Sequence, residues 1–340
     1  MTDMTRSTYT CFYTNKPFWA IERPDLDAPE FSSEFTKKMS EIVFARDIEG
    51  ISLRIARDGL IELRDQCLEE RAQSRNKKFQ ELAQMWSEYL QLANSVFLML
   101  DMAAVAAQNF ALFDFQEVTR KDAFRMSYEN GKFSSSGVSI ESVSGSYQMG
   151  RFLSNYQPGL PLSHDPRISF RQVVREKTLS LLSEYISQSL KVHGLLEKLY
   201  SLAKSLSEYK VGNYKVCIVL CWFVIEEILN EKYKDFLKNK NCQVGKKKRI
   251  NSKRKSLLTS RDFTASVVSN ILELSDVISL AQFNSVDKIR KTRNDIAHGI
   301  NKMQISGDNS AEAIAFTAEF LLEGVISSPK LNLSLSSQGL

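Results

Sequence analysis

Between Asn155 and Pro166 the chain reads Asn-Tyr-Gln-Pro-Gly-Leu-Pro-Leu-Ser-His-Asp-Pro, three prolines and a glycine within twelve residues. Proline lacks an amide hydrogen and has a fixed φ, so neither a helix interior nor a central strand runs through such a stretch. The sequence on either side is therefore a separate folding problem, and 340 residues exceed what one ordinary core serves. The expected division is an N-terminal α+β domain over 1–160, a second domain over 167–328 and a loose polar tail over 329–340.

With 43% apolar and 25% charged residues the chain falls in the globular class. The opening MTDMTRSTYT lacks the basic-then-apolar pattern of a secretory signal, and the protein is expected in the cytoplasm. The longest uncharged apolar run, Val216 to Ile225, is bounded by Lys215 and Glu226 and is half of the ~20 residues a membrane span requires. A second apolar stretch, Asn94 to Phe113, is interrupted by Asp101, Gln108 and Asn109 and reads as a buried helix. No membrane partner is expected. Five cysteines, an odd set without a C-x-x-C pair, argue against a disulfide framework and a zinc site, and for a reducing compartment. Cys217 and Cys221, four apart on an apolar helix face, read as small buried hydrophobes. A glycine-rich phosphate loop, a Ser/His/Asp set and a paired-carboxylate motif are all lacking, and no cofactor or metal is expected.

From Phe35 to Phe113 strong helix formers dominate. Apolar positions recur at helical spacing, first Ile61, Leu63, Cys67 and Leu68, then Phe79, Leu82, Ala83, Trp86, Tyr89 and Leu90. Long helices are expected there. After Ala111 the stretches 112–118, 124–128, 132–134 and 138–143 alternate apolar with polar, separated by Glu129-Asn-Gly131 and Ser135-Ser-Gly137, the signals of a small antiparallel sheet. Beyond the prolines the expected helices are 169–209, 214–238, 262–274, 279–298 with Gly299 as stop, and 310–326, around a basic loop at 239–260. The fold class is read as mainly α, with a C-terminal helical bundle and long helices plus a small sheet in the first half.

Two stretches of the second half carry chemistry. One is Cys221-Trp222-Phe-Val-Ile-Glu226, aromatic then acidic; the other is Arg293-Asn294-Asp-Ile-Ala-His298-Gly299. Together they resemble the HEPN superfamily of helical ribonucleases over roughly residues 170–326, the second stretch being similar to the family's R-x4-6-H motif. The resemblance implies a HEPN-like bundle that forms a homodimer and cleaves RNA without metal, leaving a 2′,3′-cyclic phosphate and a 5′-hydroxyl. It implies Arg293, His298 and Asn294 as catalytic, with Glu226 supporting. Family members act as toxins or abortive-infection effectors against phage, which implies an antitoxin or a phage-derived trigger as further partner and a sensor or regulator in the first half.

Elementary chemistry agrees with those residue types. Histidine, titrating near ~6.5, serves as base or acid at neutral pH, and arginine grips phosphate oxygens with a planar fork. Geometry adds a constraint: residues five apart on a helix lie about 140° around its axis, so Arg293 and His298 do not converge from one helix. Either the helix loosens before Gly299 or two copies face each other. Two alternatives stay open. His298 caps the helix and nothing more, or the protein is a non-catalytic scaffold for dimerisation and RNA or protein binding.

The segment 246–255 holds Lys246, Lys247, Lys248, Arg249, Lys253, Arg254 and Lys255 with no acid between them. It is either a solvated loop or a grip on a polyanion; as the latter it binds the RNA backbone through phosphate contacts that carry no sequence information.

Overall fold

The computed structural model describes residues 6–24, 33–73, 79–109, 111–137, 171–244, 247–299 and 305–335. The chain divides into two compact units, one of Met1–Ala203 with Lys330–Leu340 and the other of Lys204–Pro329. The expected boundary in the proline cluster lies outside the described residues; the observed division falls between Ala203 and Lys204, inside a helix.

The first unit overturns the mainly α expectation. Its centre is a six-stranded sheet of antiparallel pairs in the order β3-β4-β5-β1-β6-β7, built from β1 (Arg6–Phe12), β3 (Ile42–Ile48), β4 (Ile51–Ala56), β5 (Ile61–Asp65), β6 (Phe124–Glu129) and β7 (Lys132–Ser136). The chain is mixed α/β, and the bundle assigned to the whole second half is replaced by a helical unit that also carries a two-stranded ribbon. Four of the six strands come from the first 65 residues, and three of them, β3 to β5, lie in the tract from Phe35 expected to be helical. Ile61 and Leu63 belong to β5 because they alternate with Glu62 and Arg64 across the two sheet faces; that spacing is the strand period, and the helical spacings Ile61/Leu68 and Leu63/Cys67 compete with it until pairing with β4 and β1 decides. The Asn130-Gly131 turn is where the sequence places it, with φ of 50° and 76° joining β6 to β7. Glu49-Gly50 makes a matching left-handed turn between β3 and β4. The stretch 112–118 forms no strand, and 138–143 lies outside the described residues.

On one sheet face Glu62, fully buried, accepts from the Tyr128 hydroxyl at 2.7 Å and pairs with Arg54 Nε at 3.2 Å. The Arg54 guanidinium lies over the rings of Tyr9 and Tyr128 at 4.6 and 4.4 Å. Burial and the Glu62 carboxylate push the Tyr128 phenol up, so it stays a donor. A second set forms around Glu69, which accepts from Tyr89 at 2.8 Å and from Arg125 at 2.5 Å; burial first, and then Glu69, push the Tyr89 phenol up to about 12 against the opposing charge of Arg125.

Helix α1 (Ser33–Ser40) precedes the sheet's edge strand, and α2 (Gln66–Gln73) leads into α3 (Phe79–Gln108), the core helix of this unit. Only α3 among the described helices is long and apolar enough to cross a membrane, and 72% of its most apolar window is buried by protein. It packs on α4 (Glu176–Leu190) and β1. Its interior polar residue Asn94 acts as a strand edge would: Nδ2 donates to Val118 O at 2.8 Å, and Oδ1 accepts from Val118 N at 2.7 Å. The single helix expected over 169–209 is instead a short parallel pair of β2 (Trp19–Ala20) with β8 (Val173–Val174), then α4, then α5 (Leu195–Lys210), with Gly194 at φ +73° in the break. The expected loose tail is not loose at Asn332, which is buried, donates its amide to Asp101 Oδ2 at 3.3 Å and its side chain to Phe113 O at 2.5 Å.

The second unit follows the sequence reading more closely. It holds α6 (Tyr214–Lys240), α8 (Ala265–Leu274), α9 (Leu280–Ala297) and α10 (Gly307–Leu321), each end within three residues of expectation except the C-terminal end of α10, which stops five residues earlier. The basic stretch read as plain loop contains a ribbon of β9 (Gln243–Val244) and β10 (Lys247–Lys248), then α7 (Ser252–Leu258). Capping boxes Ser279/Gln282 and Ser306/Asn309 start α9 and α10.

Replacing Asn94 by Leu keeps the volume and orphans the buried N–H and C=O of Val118. The expected cost is about 2–4 kcal/mol, read as a lower urea midpoint with an unchanged slope.

Candidate functional site

The directions of three helices set the site. Helices α6 and α10 run the same way: Ser310 Oγ donates to Tyr214 O at 3.3 Å near their starts, and Lys232 pairs with Glu323 at 3.0 Å near their ends. Helix α9 runs opposite, its first turn tied to Glu323 through Gln282 at 3.1 Å and its middle to Glu312 through Lys288 at 2.5 Å. The end of α9, with the Arg293-to-His298 motif, therefore points toward the start of α6.

His298 is the C-cap of α9. Its amide donates to Asn294 O at 2.9 Å, Gly299 follows at φ +63°, and its side chain is exposed. Buried Val286 and Ile289 mark the inward face of α9. Arg293, four residues after Ile289, continues that side and is half-buried; Asp287, Lys291, Asn294 and His298 follow one another on the outer side. Arg293 and His298 do not meet within the chain, and no hydrogen bond joins them among the described residues. Asn294 is the link: its Oδ1 accepts from Arg293 Nη1 at 3.1 Å while its carbonyl holds the His298 amide. Asp287 does not pair with Arg293. It takes Lys291 and Arg290, each at 2.7 Å, whose hydrogen bonds hold its carboxyl below the usual range.

The other expected site residues stand apart from this end. Trp222 is buried in the unit's core. Glu226 is half-buried, makes no hydrogen bond or ion pair among the described residues, and lies eight residues, about 12 Å of helix rise, past Ile218. Lys248, Arg249, Lys253, Arg254 and Lys255 are exposed and form no ion pair among the described residues; Lys247 belongs to β10, and Lys246 lies outside them. This basic segment is fastened at the far end of α6, where Tyr233 donates to Leu258 O at 3.2 Å and stacks on Phe263 at 6.0 Å. Tyr233 is 19 residues from Tyr214, about 28 Å along the helix. One chain therefore presents its basic segment and its Arg293/His298 end at opposite ends of the same unit.

What the sequence reading missed is a cavity of about 200 Å³ between α6, α9 and α10. Its floor is Ile218, Ile289, Ala313 and Phe316, and its rim includes Thr292, Asn309 and the Lys288–Glu312 pair. Phe316 is stacked on Phe320 at 5.4 Å, which fixes its ring plane. The Ser285/Ile289/Thr292 stripe on α9 was the only trace in sequence; Glu312 reaches Lys288 from another helix, and nothing local announces that.

Cys217 and Cys221 are buried as read. The hydrogen bond with Cys221 and burial push the Cys217 thiol up, so it is a poor nucleophile. No group of three His, Cys, Asp or Glu residues that could hold a metal occurs among the described residues. No family model, curated protein or solved structure matches the chain.

Because Asp287 is depressed in the fold, its stabilising effect is complete above the ordinary carboxylate pKa and is lost as pH falls through the folded value. Asp287→Asn is expected to cost under ~1 kcal/mol at neutral pH and to flatten the loss of stability on acidification below about pH 4, as followed by thermal melts across pH.

Proposed function

We propose that this protein is a metal-independent endoribonuclease whose reacting groups are Arg293 and His298, positioned by Asn294, in a site completed by a second copy of the chain. The observation that carries this reading is the exposed His298 imidazole at the end of α9, with Asn294 tying its amide to the Arg293 guanidinium. In the reaction the imidazole takes the proton of an RNA 2′-hydroxyl, the oxygen attacks the adjacent phosphorus, and the O5′ bond breaks. A protonated imidazole returns a proton to O5′, leaving a 2′,3′-cyclic phosphate and a 5′-hydroxyl. The guanidinium meets the charge gathering on the phosphate oxygens.

A pair of chains answers the angular problem, since a two-fold axis beside the end of α9 sets one protomer's imidazole opposite its partner's guanidinium. The basic segment then grips RNA away from the cleaved bond, from the opposite end of the same unit or from the partner. The motif is of the kind used by HEPN ribonucleases. By that analogy the protein acts in the cytoplasm as a toxin or abortive-infection effector, the first unit sensing a phage-derived trigger or an antitoxin. Glu226 keeps only an indirect role in this scheme. The distance between the basic segment and His298 favours a second reading, an RNA-binding scaffold in which His298 is only a cap.

Total RNA incubated with purified protein in EDTA separates the two. The nuclease reading expects cyclic-phosphate ends and a loss of roughly 10²–10⁴-fold in rate for His298→Ala and Arg293→Ala, with the dimer retained in sedimentation. Intact RNA with wild type, or undiminished cutting by both variants, overturns it. Under either reading, serine at Lys253, Arg254 and Lys255 together weakens RNA binding and lowers its salt slope by about 2–3.

A further inference from the structure

We infer that the cavity between α6, α9 and α10 is a binding site for a guanine base. At about 200 Å³ it is smaller than the ~300–1,000 Å³ of sites for drug-sized ligands and suits a single planar ring system. The half-buried Phe316 lines it with a ring held in plane by Phe320, and Ile218 and Ile289 line it too, aromatic and aliphatic surroundings of the kind that receive a base. The rim supplies the polarity. Glu312 offers a carboxylate that only accepts, and Lys288 an ammonium that only donates.

Those two groups are already together at 2.5 Å, with side-chain exposures of 62% and 60%. An ion pair so exposed contributes little, so a ligand can part it at small cost. Guanine matches both halves: its N1–H and N2–H groups are adjacent donors for the two carboxylate oxygens, and its O6 and N7 are acceptors for the ammonium. Adenine offers one donor group to the carboxylate, and uracil flanks its single N–H with carbonyls that the carboxylate repels. Thr292 on the rim immediately precedes Arg293 in sequence, so the cavity and the guanidinium belong to the same turn of α9 while facing different sides of it. The role of the pocket in choosing the cleaved residue rests on the nuclease reading; the binding itself does not.

Guanine could come from an RNA residue or from a free nucleotide, and calorimetry in EDTA separates them. Guanosine is expected to bind at least about tenfold more tightly than adenosine, cytidine or uridine, and Glu312→Gln to remove that preference. Because Glu312 is at the surface, melting of the variant near the wild-type temperature shows that the fold is kept. Equal binding of all four nucleosides, no binding of guanosine, or an unaltered preference in Glu312→Gln overturns the inference. An oligonucleotide with a single guanosine, made 2′-deoxy to prevent cutting, binds more tightly than guanosine 3′-monophosphate if RNA is the source and no more tightly if a free nucleotide is. Guanosine binding without RNA cleavage keeps the pocket and removes the nuclease. Cleavage indifferent to guanosine, with no guanosine binding, does the reverse.

Discussion

The 3.6-residue period of α9 sets which way the side chains of Arg293 and His298 face. Over five residues it turns Arg293 toward the packed side of the unit, after Val286 and Ile289, and leaves His298 on the outer side with Asp287 and Lys291. A single protomer thus shows a fork on one side and an imidazole on another. Asn294 joins them through one side-chain and one backbone bond without drawing them together. Any chemistry requiring both groups at one phosphate needs a second surface.

That constraint has force only because α9 cannot turn about its axis. Glu323 holds Lys232 of α6 and Gln282 of α9 at one end, while the floor of Ile218, Ile289 and Ala313 fills the space toward the other. The same arrangement opens the cavity: α9 and α10 approach closely enough for Lys288 and Glu312 to meet at the surface, and the short Ala313 leaves room beneath them. The first unit is stabilised in a different way. Its sheet buries Glu62 and Glu69, and such carboxylates are tolerable only where arginine and tyrosine reach them. Arg54 with Tyr128, and Arg125 with Tyr89, do so from neighbouring strands and from α3.

Much of the second unit was legible because its signals are local. Ser279 with Gln282 caps a helix by contacts within one turn, and Gly299 ends it through its own φ. Asn130-Gly131 announces a hairpin for the same reason. The sheet of the first unit was not legible beyond that hairpin. Ile61 and Leu63 are spaced as a strand but also fall at helical spacing from Leu68 and Cys67, and their state depends on pairing with strands as distant as β1, where Phe12 lies opposite Ile61. Asn332 likewise reads as tail in sequence and is buried only because Asp101 and Phe113, more than two hundred residues earlier, accept its protons.

The sequence by itself determined which residue types stand five apart at the end of a capped helix, and where the positive charge is concentrated, since both are properties of neighbours along the chain. Only the tertiary structure decided that the basic segment sits at the other end of α6 from His298, that Lys288 meets Glu312 above an apolar hollow, and that the early apolar residues pair as strands. These depend on contacts between residues far apart in sequence, and the closing of long loops leaves no periodic trace in the chain that closes them.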